Sequence, residues 1–197
     1  MVGLGPPYIR GSSISSLQEL HNLDDAIAYL VHEAFGTALI SSYTEVPAKS
    51  LEEPFRTLLV HEDHMTGVLL AHYGRAVGLH VLRRTNTEDT YTRFITLTAS
   101  DSEQVVETGI VRINLALLSA AVRQEIVEAK KPLGSILIDH DVLRRIEPKW
   151  YFHLESSCPM LDHFGSGVRQ AYGRVGMIHC DDQPAIELLE VVADVEL

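Results

Sequence analysis

Cysteine is almost missing from this chain. Cys158 and Cys180 stand far apart with no metal-type spacing, which argues against a disulfide framework or a zinc knuckle and leaves two free thiols as the expectation. No run of 18 or more apolar residues occurs, so no membrane-spanning helix is expected. The opening Met1-Val2-Gly3-Leu4-Gly5-Pro6-Pro7 has neither the charged nor the apolar region of a signal peptide, and a cytoplasmic protein is expected. Positive charge is scarce too: 16 Lys and Arg against 27 Asp and Glu give a formal charge of −11. Such a surface repels nucleic acid and anionic membranes, so neither is expected as a partner. The bases are concentrated, with twelve of the sixteen between Arg83 and Arg174 and none in the last seventeen residues. A local cationic pocket for a small anion is compatible with an acidic body.

What is present suits one well-buried core. The chain has 197 residues, 46% of them apolar, enough for one domain and short for two. Its first twenty residues are rich in Gly, Pro and Ser, and residues 1–22 are expected to form a loose arm before a domain over 23–197. Asn22-Leu23-Asp24-Asp25 offers a helix cap ahead of Ile27, Leu30, Val31 and Phe35, which share one helical face ending at Gly36. A second helical stretch begins near Pro54, turns near Asp63 to Thr66 and resumes to Gly74. From Ala76 the period becomes two. Strands are expected at 77–84, 90–99, 104–114, 142–155, 168–180 and 184–193, with turns at 100–103 and 181–183 and a helix over 115–130. This order predicts a single α+β domain whose mostly antiparallel sheet has about six strands with helices packed on it.

Alternation exposes two unusual residues. Arg93 shares its strand face with Tyr91, Ile95, Leu97 and Ala99, and Glu190 shares its face with Ile186, Leu188 and Val192, while Glu187 lies opposite. Burying either charge alone costs several kcal/mol, so each needs a counter-charge, hydrogen bonds or a ligand. A polar cavity answers both demands. An Arg93 to Glu190 salt bridge without ligand, or strand ends that reach water, answers them equally well from the pattern alone. Glu107 and Arg112 also fall on partly apolar faces, as edge strands allow.

Four segments, in order, resemble chorismate pyruvate-lyases, and in style the divergent actinobacterial and archaeal branch of that family. They are Leu58-Leu59 followed by Asp63-His64-Met65-Thr66, the strand Thr92-Arg93-Phe94-Ile95-Thr96-Leu97-Thr98-Ala99, Lys131-Pro132-Leu133-Gly134-Ser135-Ile136-Leu137, and Pro184 to Val192. No single motif is specific; order and spacing carry the resemblance from about Leu58 to Val192. The chain departs from the family where His64 replaces a serine, where Glu107-Thr108-Gly109-Ile110-Val111-Arg112 replaces a Gly-Arg-Thr-Val-Val-Pro strand, and where the glutamate lies one residue further from its proline.

The resemblance implies conversion of chorismate into 4-hydroxybenzoate and pyruvate without cofactor or metal, on a chorismate lyase-like fold shared with UTRA-type sensors. It implies that Arg93 binds the ring carboxylate together with the backbone amides of Met65 and Leu133. Glu190 would contact the ring hydroxyl or the departing oxygen, and a carboxyl on an apolar strand face is expected to have a raised pKa that fits it to donate a hydrogen bond or a proton near neutral pH. The alternatives are a non-catalytic sensor of an aromatic carboxylate and a lyase giving a different hydroxybenzoate. The first fifty-odd residues show nothing basic or helix-turn-helix-like, which favours the enzyme. Residues 156–167, with Pro159, Gly165 and Gly167, read either as a flap or as an ordinary surface loop. Arg169 and Arg174, just after it, are placed to meet the enolpyruvyl carboxylate, but read first as solvated strand residues. His61, His64 and His72 suggest a metal, but His61-Glu62-Asp63-His64 has one residue too few for the zinc-protease helix motif and no third ligand is evident, and Gly165-Ser166-Gly167 lacks the Walker lysine.

Overall fold

The computed structural model describes residues 15–36, 39–168 and 170–195. Asn22 caps the first helix, its side chain accepting from the Asp25 N–H at 2.8 Å, as its position before an acidic first turn dictates. Helix α1 (Leu23–Ile27) runs through a π-helical stretch, Ala28–His32, into α2 (Glu33–Phe35). Strand β1 (Tyr43–Val46), α3 (Phe55–Leu59) and α4 (Met65–Tyr73) follow, and Gly74 closes α4 in the left-handed region at φ 66°. Strands β2 (Val77–Asn86), β3 (Thr90–Ala99) and β4 (Val105–Asn114) form a meander. Helices α5 (Ala120–Glu128) and α6 (Leu133–Asp139) then lead to β5 (Arg144–Leu154), β6 (Ala171–Cys180) and β7 (Gln183–Ala193).

The seven strands form one antiparallel sheet in the order β1-β5-β6-β7-β4-β3-β2. The α+β class and the expected strands agree with this. The additional strand, β1, is short and only half-buried, too brief to show a period. The expected helix over 115–130 is divided: Leu115–Leu117 is a 3-10 turn, and Ser119 caps a separate α5 by accepting from Val122 N–H. Ser119 offers the backbone a competing acceptor and so starts a new helix rather than continuing one. Asp181 and Asp182 both take positive φ, 49° and 62°, the backbone that a two-residue hairpin between right-twisted strands demands.

Both sheet faces are covered. On one lie α3, α4, α5 and α6, over Tyr91, Ile95, Leu97, Val111, Ile113, Ile186, Leu188 and Val192. On the other lie the N-terminal helices and the 3-10 segment Pro159–Phe164, over Phe94, Ile110, Val175, Met177, Leu189 and Val191. Double coverage explains why β7 is buried at every position from Ala185 to Ala193, as strands with two dry faces are. Each such Leu, Ile or Val contributes about 1.5–3 kcal/mol by leaving water.

Several expectations change here. Residues 1–14 of the expected arm lie outside the described residues, but from Ser15 the chain is packed: Leu17 is fully buried. Glu187 holds it, accepting from Leu17 N–H at 2.5 Å, Ser16 Oγ at 3.1 Å, Tyr29 Oη at 3.0 Å and Arg112 Nη1 at 2.8 Å. Replacing Glu187 by alanine is expected to cost about 1.5–3 kcal/mol, the value of hydrogen bonds to one charge. Limited proteolysis should then cut the chain ahead of α1 first; unchanged cleavage there would disprove the latch. Arg112 is thus an ion-pair partner, and Glu107, 2% exposed on the central strand β4, is not the edge-strand residue it was expected to be. The 156–167 segment buries Met160 and Phe164 in the core beneath the sheet, and Gln104 donates to Phe164 O at 3.0 Å. It lies against the face opposite Arg93 and so does not cover that residue.

Candidate functional site

The site is built on the face under α4 and α6, from rungs of the ladder. Across β3, β4 and β7, Arg93 faces Val111 and Leu188, Ile95 faces Gly109 and Glu190, and Leu97 faces Glu107 and Val192. Above them, Met65 opens α4 and Leu133 opens α6, so their N–H groups belong to the first turns, which lack intrahelical acceptors. Gly134 lets the two helices meet: a Cβ there would lie 3.2 Å from His64 and from the Thr66 hydroxyl. The result is a cavity of about 50 Å³ lined by Arg93, Glu107 and Glu190 together with Met65, Leu133 and apolar residues of the sheet. All four residues expected from the sequence to bind the substrate, Arg93, Met65, Leu133 and Glu190, therefore line one space.

Arg93 is fully buried, and none of its three guanidinium nitrogens has a hydrogen-bond partner among the described residues. Burial pulls its pKa down from the ordinary value, partly offset by the nearby Tyr91 phenol. No carboxylate stands within 4.0 Å of it among the described residues, so the alternative of an Arg93 to Glu190 salt bridge does not hold. Glu190 is instead paired with Arg174, directly opposite on β6, with Nε to Oε2 at 2.6 Å.

Arg174 is 1% exposed and so is not the solvated strand residue expected; Arg169 lies outside the described residues. The Arg174 Nη1 donates to Leu59 O and His61 O, each at 3.0 Å, tying the turn after α3 to the sheet. His61 Nε2 stands 2.8 Å from Leu58 O, leaving Nδ1 to face Arg174 Nη1 at 3.3 Å. Burial, then Arg174, lowers the His61 pKa. His64 is lowered likewise by burial and then by Arg144, whose Nε donates to His64 Nε2. Burial and a neighbouring guanidinium thus disfavour the charged form of both imidazoles, and at His61 the Leu58 carbonyl works the other way.

Glu107, to which the sequence pattern assigns no role, lines the same cavity. Its Oε2 is buried without a partner, and burial, then the neighbouring Glu190, raises its pKa well above the usual carboxyl range. The site therefore holds two acids of different kinds: Glu190 with an arginine on it, and Glu107 with its charge suppressed. Among the described residues no group of three or more His, Cys, Asp or Glu is placed to hold a metal ion, and no helix is long and apolar enough to cross a membrane.

No protein-family model matches the sequence, and no curated protein matches it. Among solved structures, the chain is similar to the crystal structure of PhnF from Mycobacterium smegmatis, with a TM-score of 0.45 and 12% identity. That similarity covers 68% of this chain and 64% of that one, so this chain spans under two thirds of the PhnF chain. The crystal structure of the effector domain of the same PhnF gives a TM-score of 0.47 and 12% identity over 68% of this chain and 90% of that one.

Proposed function

We propose that this cavity binds the carboxylate of a small six-membered-ring acid, and that the protein uses it as a chorismate pyruvate-lyase. The observation that carries the reading is Arg93: a buried guanidinium with no close hydrogen-bond partner, lining a cavity of mostly apolar residues beside two helix starts. Its planar fork matches a carboxylate in two parallel bonds. The cavity of about 50 Å³ is well below the roughly 300 Å³ or more of small-molecule pockets. A ring therefore enters by displacing side chains that wall it, Met65 and Leu133 among them.

The chemistry suits so sparse a site. The bond between the ring carbon and the enolpyruvyl oxygen breaks, the hydrogen on the neighbouring ring carbon leaves as a proton, and the enolpyruvate gains a proton at carbon to become pyruvate. Aromatisation supplies the driving force. Arg93 fixes the ring and Glu190 reaches the ring hydroxyl or the departing oxygen, positioning and electrostatics supplying the rate.

A second reading, a non-catalytic sensor of an aromatic carboxylate, is favoured by the Arg174 to Glu190 pair at 2.6 Å. That pairing makes Glu190 an acceptor of hydrogen bonds rather than the proton donor expected from the sequence. The test is incubation of purified protein with chorismate, following pyruvate through a coupled reductase and identifying the aromatic product by chromatography. Stoichiometric pyruvate and 4-hydroxybenzoate are expected. Intact chorismate with tight 4-hydroxybenzoate binding by calorimetry would make the protein a sensor, and neither reaction nor binding would overturn both.

A further inference from the structure

Three side chains of the described residues bury polar atoms with no partner: Tyr91, Arg93 and Glu107. All three project from the same face of the sheet, and Arg93 and Glu107 line the same cavity. Elsewhere the interior charges are satisfied, Glu187 by four donors and Arg174 by Glu190 and two carbonyls. A fold that pairs its other buried charges so fully leaves these two for something that enters the cavity.

Their placement says what that is. Arg93 is opposite Val111, and Glu107 lies four residues earlier on the same strand, about 13 Å of chain at the rise of a strand. The cation and the acid thus rise from different rungs of the ladder, and the Glu107 carboxyl leans over Gly109 toward the middle rung. Gly109, between them and directly across from Glu190, keeps the floor low: a Cβ there would lie 3.0 Å from Leu189 O and 3.5 Å from Glu107 Oε1. Glu107 and Glu190 are diagonal neighbours, and only Glu190 has an arginine paired to it.

We propose that Glu107 is a second anchor of the ligand, its carboxyl donating a hydrogen bond to a hydroxyl oxygen on the ring edge away from the carboxylate, so that it selects hydroxylated over unsubstituted ring acids. The same hydroxyl donates its own hydrogen to Glu190, which Arg174 keeps as an acceptor. One hydroxyl then meets both acids, and a ring lacking it leaves the buried Glu107 unsatisfied, the arrangement that discriminates most strongly. The suppressed charge of Glu107 agrees with its role as donor.

This inference rests on the carboxylate-pocket reading, and its test separates the two. Calorimetric affinities for benzoate and 4-hydroxybenzoate are measured for the wild-type protein, Glu107→Gln and Glu107→Leu. Wild type is expected to prefer 4-hydroxybenzoate by about tenfold or more, the worth of a hydrogen bond to an otherwise unsatisfied buried group. Glu107→Gln keeps a donor and most of the preference; Glu107→Leu lowers the ratio several-fold, to what the Glu190 contact alone supplies. Full preference in Glu107→Leu overturns the role of Glu107 while leaving the pocket intact, whereas failure of wild type to bind either acid overturns the pocket and the inference together. Should Glu107→Leu not fold, difference infrared spectra decide: a protonated carboxyl stretch, absent in Glu107→Gln, is expected to move to lower frequency with 4-hydroxybenzoate and not with benzoate. Its absence from the wild-type spectrum overturns the proposal.

Discussion

Replacing Arg93 by methionine is expected to make the ligand-free protein more stable and nearly unable to bind ring carboxylates. Arg93 is fully buried and its guanidinium has no close hydrogen-bond partner, so folding strips its hydration and replaces it only with the nearby Tyr91 phenol. Methionine fills the same space along the stem and carries no charge. Exchanging buried charged groups for apolar ones of like volume stabilises proteins by about 1–4 kcal/mol, and a gain of that size should appear as a higher urea midpoint at unchanged slope. Binding moves the other way. A charge-assisted contact worth about 1.5–3 kcal/mol corresponds to a loss of roughly ten- to 150-fold in affinity for 4-hydroxybenzoate. Opposite movements of stability and affinity are the mark of a residue kept for a ligand. A variant that loses 3–5 kcal/mol of stability instead would show that Arg93 has a structural partner and would remove it from the binding site.

The central strands were legible in the sequence because hairpin turns and β-branched runs are local signals. β3 spans the expected Thr90 to Ala99, and β4 and β7 differ from expectation by one residue each. What a single strand cannot show is what lies above it. Alternation correctly put Arg93 and Glu190 on faces shared with apolar residues, yet their pairing depends on register across three strands. Counting back from the Asp181-Asp182 turn places Gly173 opposite Glu190; the irregularity between Ile178 and His179 shifts the ladder by one and brings Arg174 there instead. That bulge leaves no trace in composition, so Arg174 read as a surface residue. Glu107 escapes for a related reason: the pattern allows its strand to be an edge, and strand order is a long-range property. Gly134 stands in the sequence only as part of a motif, and its packing reason, the contact with His64 and Thr66, depends on the placement of α4 and α6.

Arg174→Met is expected to be the most damaging single change at the site. It removes the partner of Glu190 and the two carbonyl contacts that hold the turn after α3. Glu190, 9% exposed and diagonal to the buried Glu107, is then left as an uncompensated carboxylate, and breaking a buried pair in this way costs about 3–5 kcal/mol. Glu190→Gln alone strands Arg174 less severely, because the guanidinium keeps Leu59 O and His61 O. The double variant Arg174→Met/Glu190→Gln should recover a large part of the loss, since the stranded charge is gone, and urea denaturation of the four proteins gives the coupling directly. Additive costs would mean that the pair contributes nothing beyond its separate packing. The turn tied down by Arg174 leads straight into His64 and Met65, so the double variant, even where refolded and stable, should still bind 4-hydroxybenzoate more weakly than Glu190→Gln. Equal affinities in those two proteins would confine Arg174 to folding, whereas a difference identifies it as the residue that holds the α4 end of the pocket in register with Arg93.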